Sequence, residues 1–213
     1  MLCAALPVTG RVTSPFGWRQ LNGRSDLHTG VDLGAPEGSP VWAMLPGDVV
    51  VSAPSGQLSG YGNVVVLRHA AALFTLYAHL SARSVAVGQH VDAGALLGAV
   101  GRTAGTHEDP QRMFGTSGAH LHLEFLSRWP PAGRDLDRLD PGPLFAQLGI
   151  MVPSSGPLQR ACMLPSSSSP AAAAVFAASS SAVQLTQRPP ARAAMGGLLA
   201  LAVVWGVVKS KRR

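Results

Sequence analysis

No lysine occurs before Lys209 in this 213-residue chain, and no acidic residue occurs after Asp140. Over residues 1–149 ten arginines face eleven acids, a net charge of −1, whereas residues 150–213 carry five arginines, two lysines and no acid, a net of +7. The overall charge of +6 therefore belongs to the C-terminal segment, and the near-neutral body gives little support for a nucleic-acid-binding face. Cysteine is scarce as well. Cys3 and Cys162 stand at opposite ends of the body, neither in a CxxC spacing, which excludes a thiolate metal site and leaves only a long-range disulfide between them. Before Pro143 no stretch carries an amphipathic helical period of convincing length, so the fold turns toward sheet.

What is present agrees. Short runs rich in valine and aromatics (VWAML, DVVVSA, NVVVLRHA, LFTLYAHL, ALLGAVG, HLHLEFL) alternate with turn-forming stretches such as APEGSP, LPGD, SGYGN and VDAGA. The expectation is one all-β domain, an antiparallel sheet closed as a barrel or packed as a sandwich, over residues 1–149. Residues 150–192 are rich in Ser, Ala and Pro, lack large apolar side chains, and read as a flexible linker. Residues 193–208 (AAMGGLLALAVVWGVV) carry no charge and run into the basic tail KSKRR at 209–213. As a helix they would cover roughly 24 Å at ~1.5 Å per residue, slightly short of the ~30 Å hydrocarbon core, with Lys209 and Lys211 reaching the headgroups. They are expected to form one C-terminal transmembrane anchor, with the basic tail on the cytoplasmic side and the body facing outward. Met1–Gly10 has no basic start and does not read as a secretory signal.

The chemistry concentrates in two clusters. In a strand over SGAHLHLEF, His120, His122 and Glu124 share one face, and Leu121, Leu123 and Phe125 share the other. Neighbouring imidazoles on that face stand about 6.5–7 Å apart, too far for both to bind one zinc at ~2.0–2.1 Å without bending the backbone. The spacing suits a division in which one ring binds metal and the other handles a water. Upstream, LHTGVDLGAP holds His28 and Asp32 around the turn-prone pair Thr29–Gly30, and an imidazole and a carboxylate so placed can converge on one ion. His28, Asp32 and one histidine of the HLH pair would supply three protein ligands, leaving one position for water. LYAHLS offers His79 at the end of an apolar strand.

Taken in order, SPFGWR, HTGVDLGAPEGSPV, GDVV, GYGNVVVLRH, YAHL, VGQHVDAGALLGAVG, SGAHLHLEF and the closing Asp140-Pro141 resemble the LytM/lysostaphin-type zinc metallopeptidases, peptidase family M23, over about residues 7–149. The resemblance implies a barrel-sandwich hybrid with a duplicated hybrid motif and an open active-site groove. It implies one zinc ion held by His28, Asp32 and His122, with His79 and His120 as catalytic groups beside it. The implied activity is endopeptidase cleavage of peptidoglycan crossbridges or stem peptides, with Glu124 a candidate to orient a histidine or to pair with an arginine. The segment from Thr106 to Thr116 is longer than the family pattern and is expected to form a loop at the groove rim. Two other readings compete. One is a non-catalytic member of the fold that binds cell wall or activates another hydrolase, yet all three ligands and both accessory histidines are kept. The other arises because VGQHVDAGALLGAVG also resembles the turn of biotinyl and lipoyl carriers and of sugar-transport phosphocarriers; the lysine-free body excludes the acyl carriers, and Asp32 argues against a phosphocarrier. The implied setting is a membrane-anchored enzyme facing the cell wall, or one carried in a phage virion with an internal membrane.

Overall fold

A computed structural model of the chain describes residues 4–21, 23–58, 60–103, 118–133, 136–153 and 156–160. Its strands, in chain order, are β1 (Arg11–Ser14), β2 (Gly17–Leu21), β3 (Arg24–His28), β4 (Val31–Gly34), β5 (Pro40–Trp42), β6 (Gly47–Ala53), β7 (Asn63–Ala70), β8 (Leu73–Arg83), β9 (His90–Val91), β10 (Leu96–Val100), β11 (His120–Leu126), β12 (Arg138–Leu139), β13 (Ile150–Met151) and β14 (Gln159–Arg160). The helix α1 (Pro141–Gln147) is short. Ten strands form one sheet whose main path runs β1–β4–β11–β8–β7–β6–β9, with β12 beside β11, and β10 pairing both β5 and β8. Every pairing is antiparallel, as the alternation of valine runs and turns predicts.

The continuous run Val64–Leu67 is wholly buried, which means that both faces of β7 are covered. Val65 and Leu67 join Tyr77, Leu121, Leu123 and Phe125 in the larger core. Val64 and Val66 join Phe74, Leu76, Ala78 and Leu126 in a smaller one on the opposite face. The apolar face of β11 thus enters the main core, as the HLHLEF alternation requires. The polar face does not look into solvent: His120, His122 and Glu124 are all buried.

Asp140 caps α1 by accepting from the Gly142 N–H at 2.8 Å, and Pro141 opens the helix where its missing N–H costs nothing. Phe145 of that helix meets Phe125 edge-on, with ring centroids 6.0 Å apart. The packed unit continues beyond residue 149, where composition placed its end. Ile150 and Leu158 are buried in the main core, and the Leu158 N–H donates to the Gly10 carbonyl at 2.8 Å. Serine and proline in the segment between them hid this closing turn from a composition argument.

Among the described residues no helix is long and apolar enough to cross a membrane. The expected anchor at 193–208, most of the linker, the rim loop at 106–116 and both cysteines lie outside the described residues.

Candidate metal centre and groove

Two rows of side chains cross the sheet side by side. Cross-strand pairing aligns Ser14, Asp32, His122 and Ala78 in one row, and Arg11, Gly34, His120 and Gly101 in the next. Cross-strand partners share a face, so both rows look into the same groove. A groove of about 1290 Å³ opens there, lined by His28, Asp32, His79, His120 and His122. The β2–β3 hairpin contributes to its lining through Arg19 and Asp26.

His28 closes β3 and Asp32 lies in β4, so the Thr29–Gly30 turn folds one back toward the other. Gly30 is required there: a Cβ would sit 2.4 Å from the Leu123 carbonyl oxygen and 2.9 Å from His122 Cε1. The turn therefore lies directly on β11, which brings a histidine from 90 residues away to Asp32. His28 Nε2 is 3.0 Å from Asp32 Oδ1, His122 Nδ1 is 2.8 Å from the same oxygen, and the two ring nitrogens are 3.2 Å apart. Donors around a tetrahedral zinc at ~2.0–2.1 Å are separated by about 3.3–3.4 Å. The triangle of 2.8–3.2 Å is close to that edge length, so these residues fit a small divalent cation.

Both imidazoles are aimed by a hydrogen bond on their far side. His28 Nδ1–H donates to the Pro15 carbonyl at 2.6 Å, leaving the Nε2 lone pair toward Asp32. His122 Nε2–H donates to Glu124 Oε1 at 3.1 Å, which aims Nδ1 toward the same point. Glu124 is fully buried and accepts also from the hydroxyls of Thr29 at 2.5 Å and Tyr61 at 3.0 Å. Arg138 Nε lies 3.4 Å from its other oxygen, and Arg138 also donates to Tyr61 Oη at 3.1 Å and to the Gly133 carbonyl. Glu124 thus combines the two roles open to it: it orients a histidine and pairs with an arginine, in the interior rather than at the surface.

Charge follows from this arrangement. Burial works against ionised Asp32, but hydrogen bonds and charge from His122 and His28 outweigh it and hold the carboxyl far below its usual range. Burial likewise disfavours charged His122; hydrogen bonds to Asp32 and Glu124 reverse this and lift it to about 9. Two carboxylates converging on one ring create a demand for positive charge that a divalent ion would also meet.

His79 reaches the groove by an irregularity. In a regular strand it would share the face of Tyr77 and enter the main core. It instead adopts φ 62°, a left-handed conformation uncommon for histidine. The turn places its ring 5.1 Å from that of His120 and 5.6 Å from that of His122, and lets Leu80 return to the core. Its backbone N–H donates to the Tyr61 carbonyl and its Nδ1–H to the Thr103 carbonyl, both at 2.9 Å. His120 is anchored in the same way, Nδ1–H to the Gly118 carbonyl at 3.1 Å, with Nε2 turned inward 3.8 Å from Asp32 Oδ1. Burial, with the charge of neighbouring histidines, lowers His79 to about 3, and burial lowers His120 as well. Both rings are thus biased toward the neutral form, with Nδ1–H on a backbone carbonyl.

The structure brings together all five histidine and aspartate residues singled out from the sequence. His69 instead bonds the Pro46 carbonyl and Thr75 within the interior, and His90 pairs with Asp48 at the surface. Trp18 is 75% exposed on the β2–β3 hairpin, while Trp129 packs on the smaller core. Sequence reasoning missed Thr29, Tyr61, Thr103 and Arg138. Tyr61 sits in the GYGN turn already noted, but Arg138 is one of ten arginines in residues 1–149 with nothing local to mark it.

The model of "Peptidase family M23" matches residues 26–137. The chain belongs to peptidase family M23. M23 relatives include the DD-carboxypeptidase/endopeptidase Mpg of Neisseria meningitidis serogroup B, 42% identical over 116 residues, 54% of this chain and 24% of that protein. The peptidoglycan DD-endopeptidase ShyC of Vibrio cholerae is 38% identical over 120 residues, again 54% and 24%. The match thus spans about a quarter of the length of these M23 relatives. Among solved structures, the catalytic domain of lysostaphin from Staphylococcus simulans aligns with a TM-score of 0.52 at 27% identity, covering 64% of this chain and 92% of that domain. The antiparallel sheet with one short helix therefore matches the M23 fold of such a catalytic domain.

Proposed function

We propose that this M23 chain is a zinc-dependent endopeptidase that hydrolyses peptide links of bacterial peptidoglycan. The observation that carries the reading is the triangle of His28 Nε2, Asp32 Oδ1 and His122 Nδ1 with two further imidazoles turned toward it. Two nitrogens and one oxygen suit zinc better than calcium or magnesium, which take oxygen donors. When bound, zinc would supply Lewis-acid polarisation of a peptide carbonyl and acidify water in the groove.

The residues of the chain divide the remaining work. His28, Asp32 and His122 would hold one ion, the first and third in tautomers set by Pro15 and Glu124. His79 and His120 hold their protons at Nδ1 on backbone carbonyls, so each can take a proton at Nε2. One accepts the proton of the attacking water at Nε2, and that same proton, held there or passed to the other ring, stabilises charge on the carbonyl oxygen or goes to the departing amine. The names of the Neisseria and Vibrio relatives favour links of the DD type over glycine bridges. The uncharged stretch at 193–208 supports a membrane tether that keeps the body beside the wall.

Digestion of defined muropeptides by the full chain, followed by mass spectrometry, tests the reading. Cleavage of a peptide bond, lost with chelator and restored by zinc, is expected. A zinc-loaded protein inert on every muropeptide would instead identify a wall-binding member of the fold.

A further inference from the structure

Four arginines line the groove: Arg11, Arg19, Arg102 and Arg138. Two of them are committed. Arg19 pairs with Asp26 at 3.2 Å and lies 3.6 Å from Asp32, and Arg138 is spent on Glu124. Arg11 and Arg102 have no carboxylate within ion-pair distance among the described residues, although Glu37 shares the groove.

Their position is specific. Arg11 stands in the same cross-strand row as His120, through Gly34, and Arg102 follows Gly101, which closes that row on the other side. Three inter-strand steps of about 4.8 Å separate the ends of the row, and both arginines line the groove that the row borders. A β-bulge puts Arg11 there. Arg11 and Ser14 are three residues apart and would take opposite faces in a regular strand, but the register shift between Val12 and Ser14 turns both to the groove. Gly34 and Gly101 have no room for a side chain of their own: a Cβ at Gly34 would meet Thr13 Cγ2 at 2.6 Å, and one at Gly101 the Ser81 backbone nitrogen at 2.3 Å. Arg11 is exposed and Arg102 partly buried, so both are available.

We propose that Arg11 and Arg102 bracket His120 as a carboxylate-binding subsite, which makes the substrate class a peptide link bearing a free carboxylate beside the bond that is cut. A diamino acid joined through one amine keeps such a carboxylate next to the link, whereas a run of glycines has none. A planar guanidinium matches a carboxylate in two parallel hydrogen bonds. The proposal rests on the peptidoglycan-hydrolase reading and names its substrate.

The test uses the full zinc-loaded chain and two synthetic cross-linked peptides, D-alanyl-diaminopimelate with its free carboxylate and the same peptide as carboxamide. Cleavage is followed as kcat/KM, and binding is measured separately by calorimetry. The wild type should favour the carboxylate about tenfold, mainly through KM, the scale of a charge-assisted contact in an open groove. In the double variant R11Q/R102Q the ratio should fall to about one, and in R11K/R102K a preference should survive, because charge remains. Equal cleavage and equal binding of the two peptides by the wild type would overturn the subsite, and so would an undiminished preference in R11Q/R102Q. Failure to cut either peptide while binding still favours the carboxylate would count against the hydrolytic reading and leave the subsite standing.

Discussion

Glu124→Gln separates the two jobs that the buried carboxylate does. The change is nearly isosteric and removes charge from a residue with no solvent exposure. Its first effect is on Arg138, whose side chain is 7% exposed and loses its counter-ion at 3.4 Å. Stranding one member of a buried pair costs about 3–5 kcal/mol. Arg138 keeps its bonds to Tyr61 and the Gly133 carbonyl, which places this loss at the lower end. Its second effect is on His122, whose Nε2–H would face a neutral amide in place of a carboxylate. Exchanging the charged acceptor for a neutral one weakens this hydrogen bond, and disturbing such an outer partner lowers metal affinity ten- to a hundredfold, about 1.4–2.8 kcal/mol. Urea unfolding of ion-free protein reads the first effect, and competition for zinc against a chromophoric chelator reads the second. E124Q should lose on both measures. In E124Q/R138M neither charge is stranded, so most of the stability should return while zinc affinity stays low. Wild-type zinc affinity in E124Q would refute the need for a charged partner on His122. A double variant no more stable than E124Q would refute the coupling to Arg138.

Gly62 has φ 65°, and a Cβ there would lie 2.4 Å from the Thr103 carbonyl oxygen that anchors His79; Gly62→Ala should reduce kcat by tenfold or more while zinc stoichiometry is kept, and unchanged turnover would show that the anchor is dispensable. His79→Ala and His120→Ala should each lower the single-turnover rate by about 10²–10⁴-fold with zinc binding little altered; loss of zinc instead would make that histidine a ligand. His69, held at about 4 by burial against an ordinary 6.5, stays neutral in the fold while the unfolded chain takes up a proton. Its contribution is complete above about 6.5 and is lost as pH falls toward about 4, at about 1.4 kcal/mol per pH unit. His69→Gln should flatten the acid limb of a urea-midpoint series by that slope, and an unchanged limb would mean that other groups carry it.

Much of this was legible in the chain. Valine runs between glycine and proline turns point to antiparallel sheet because a strand buried on both faces needs uninterrupted apolar residues, as Val64–Leu67 shows. The alternation in HLHLEF assigned its faces, since period two is a local property. What escaped depends on register between distant strands. Arg138 reaches Glu124 only because β12 pairs with β11, and Tyr61 reaches it only because the GYGN turn lies under His79. The left-handed backbone at His79 and the bulge that turns Arg11 inward leave no mark in composition, because histidine and valine in those places are ordinary strand residues. The end of the packed unit was missed because its buried apolar side chains among the described residues, Ile150 and Leu158, stand eight residues apart.

The central claim is that His28, Asp32 and His122 share one divalent ion. X-ray absorption at the zinc edge, recorded on the full chain loaded with one equivalent of metal, tests it most directly. The account predicts nitrogen and oxygen donors at about 2.0–2.1 Å, two imidazoles in the outer-shell scattering, and loss of this spectrum in His122→Ala. Sulfur donors, three imidazoles, or an unchanged spectrum in His122→Ala would contradict it.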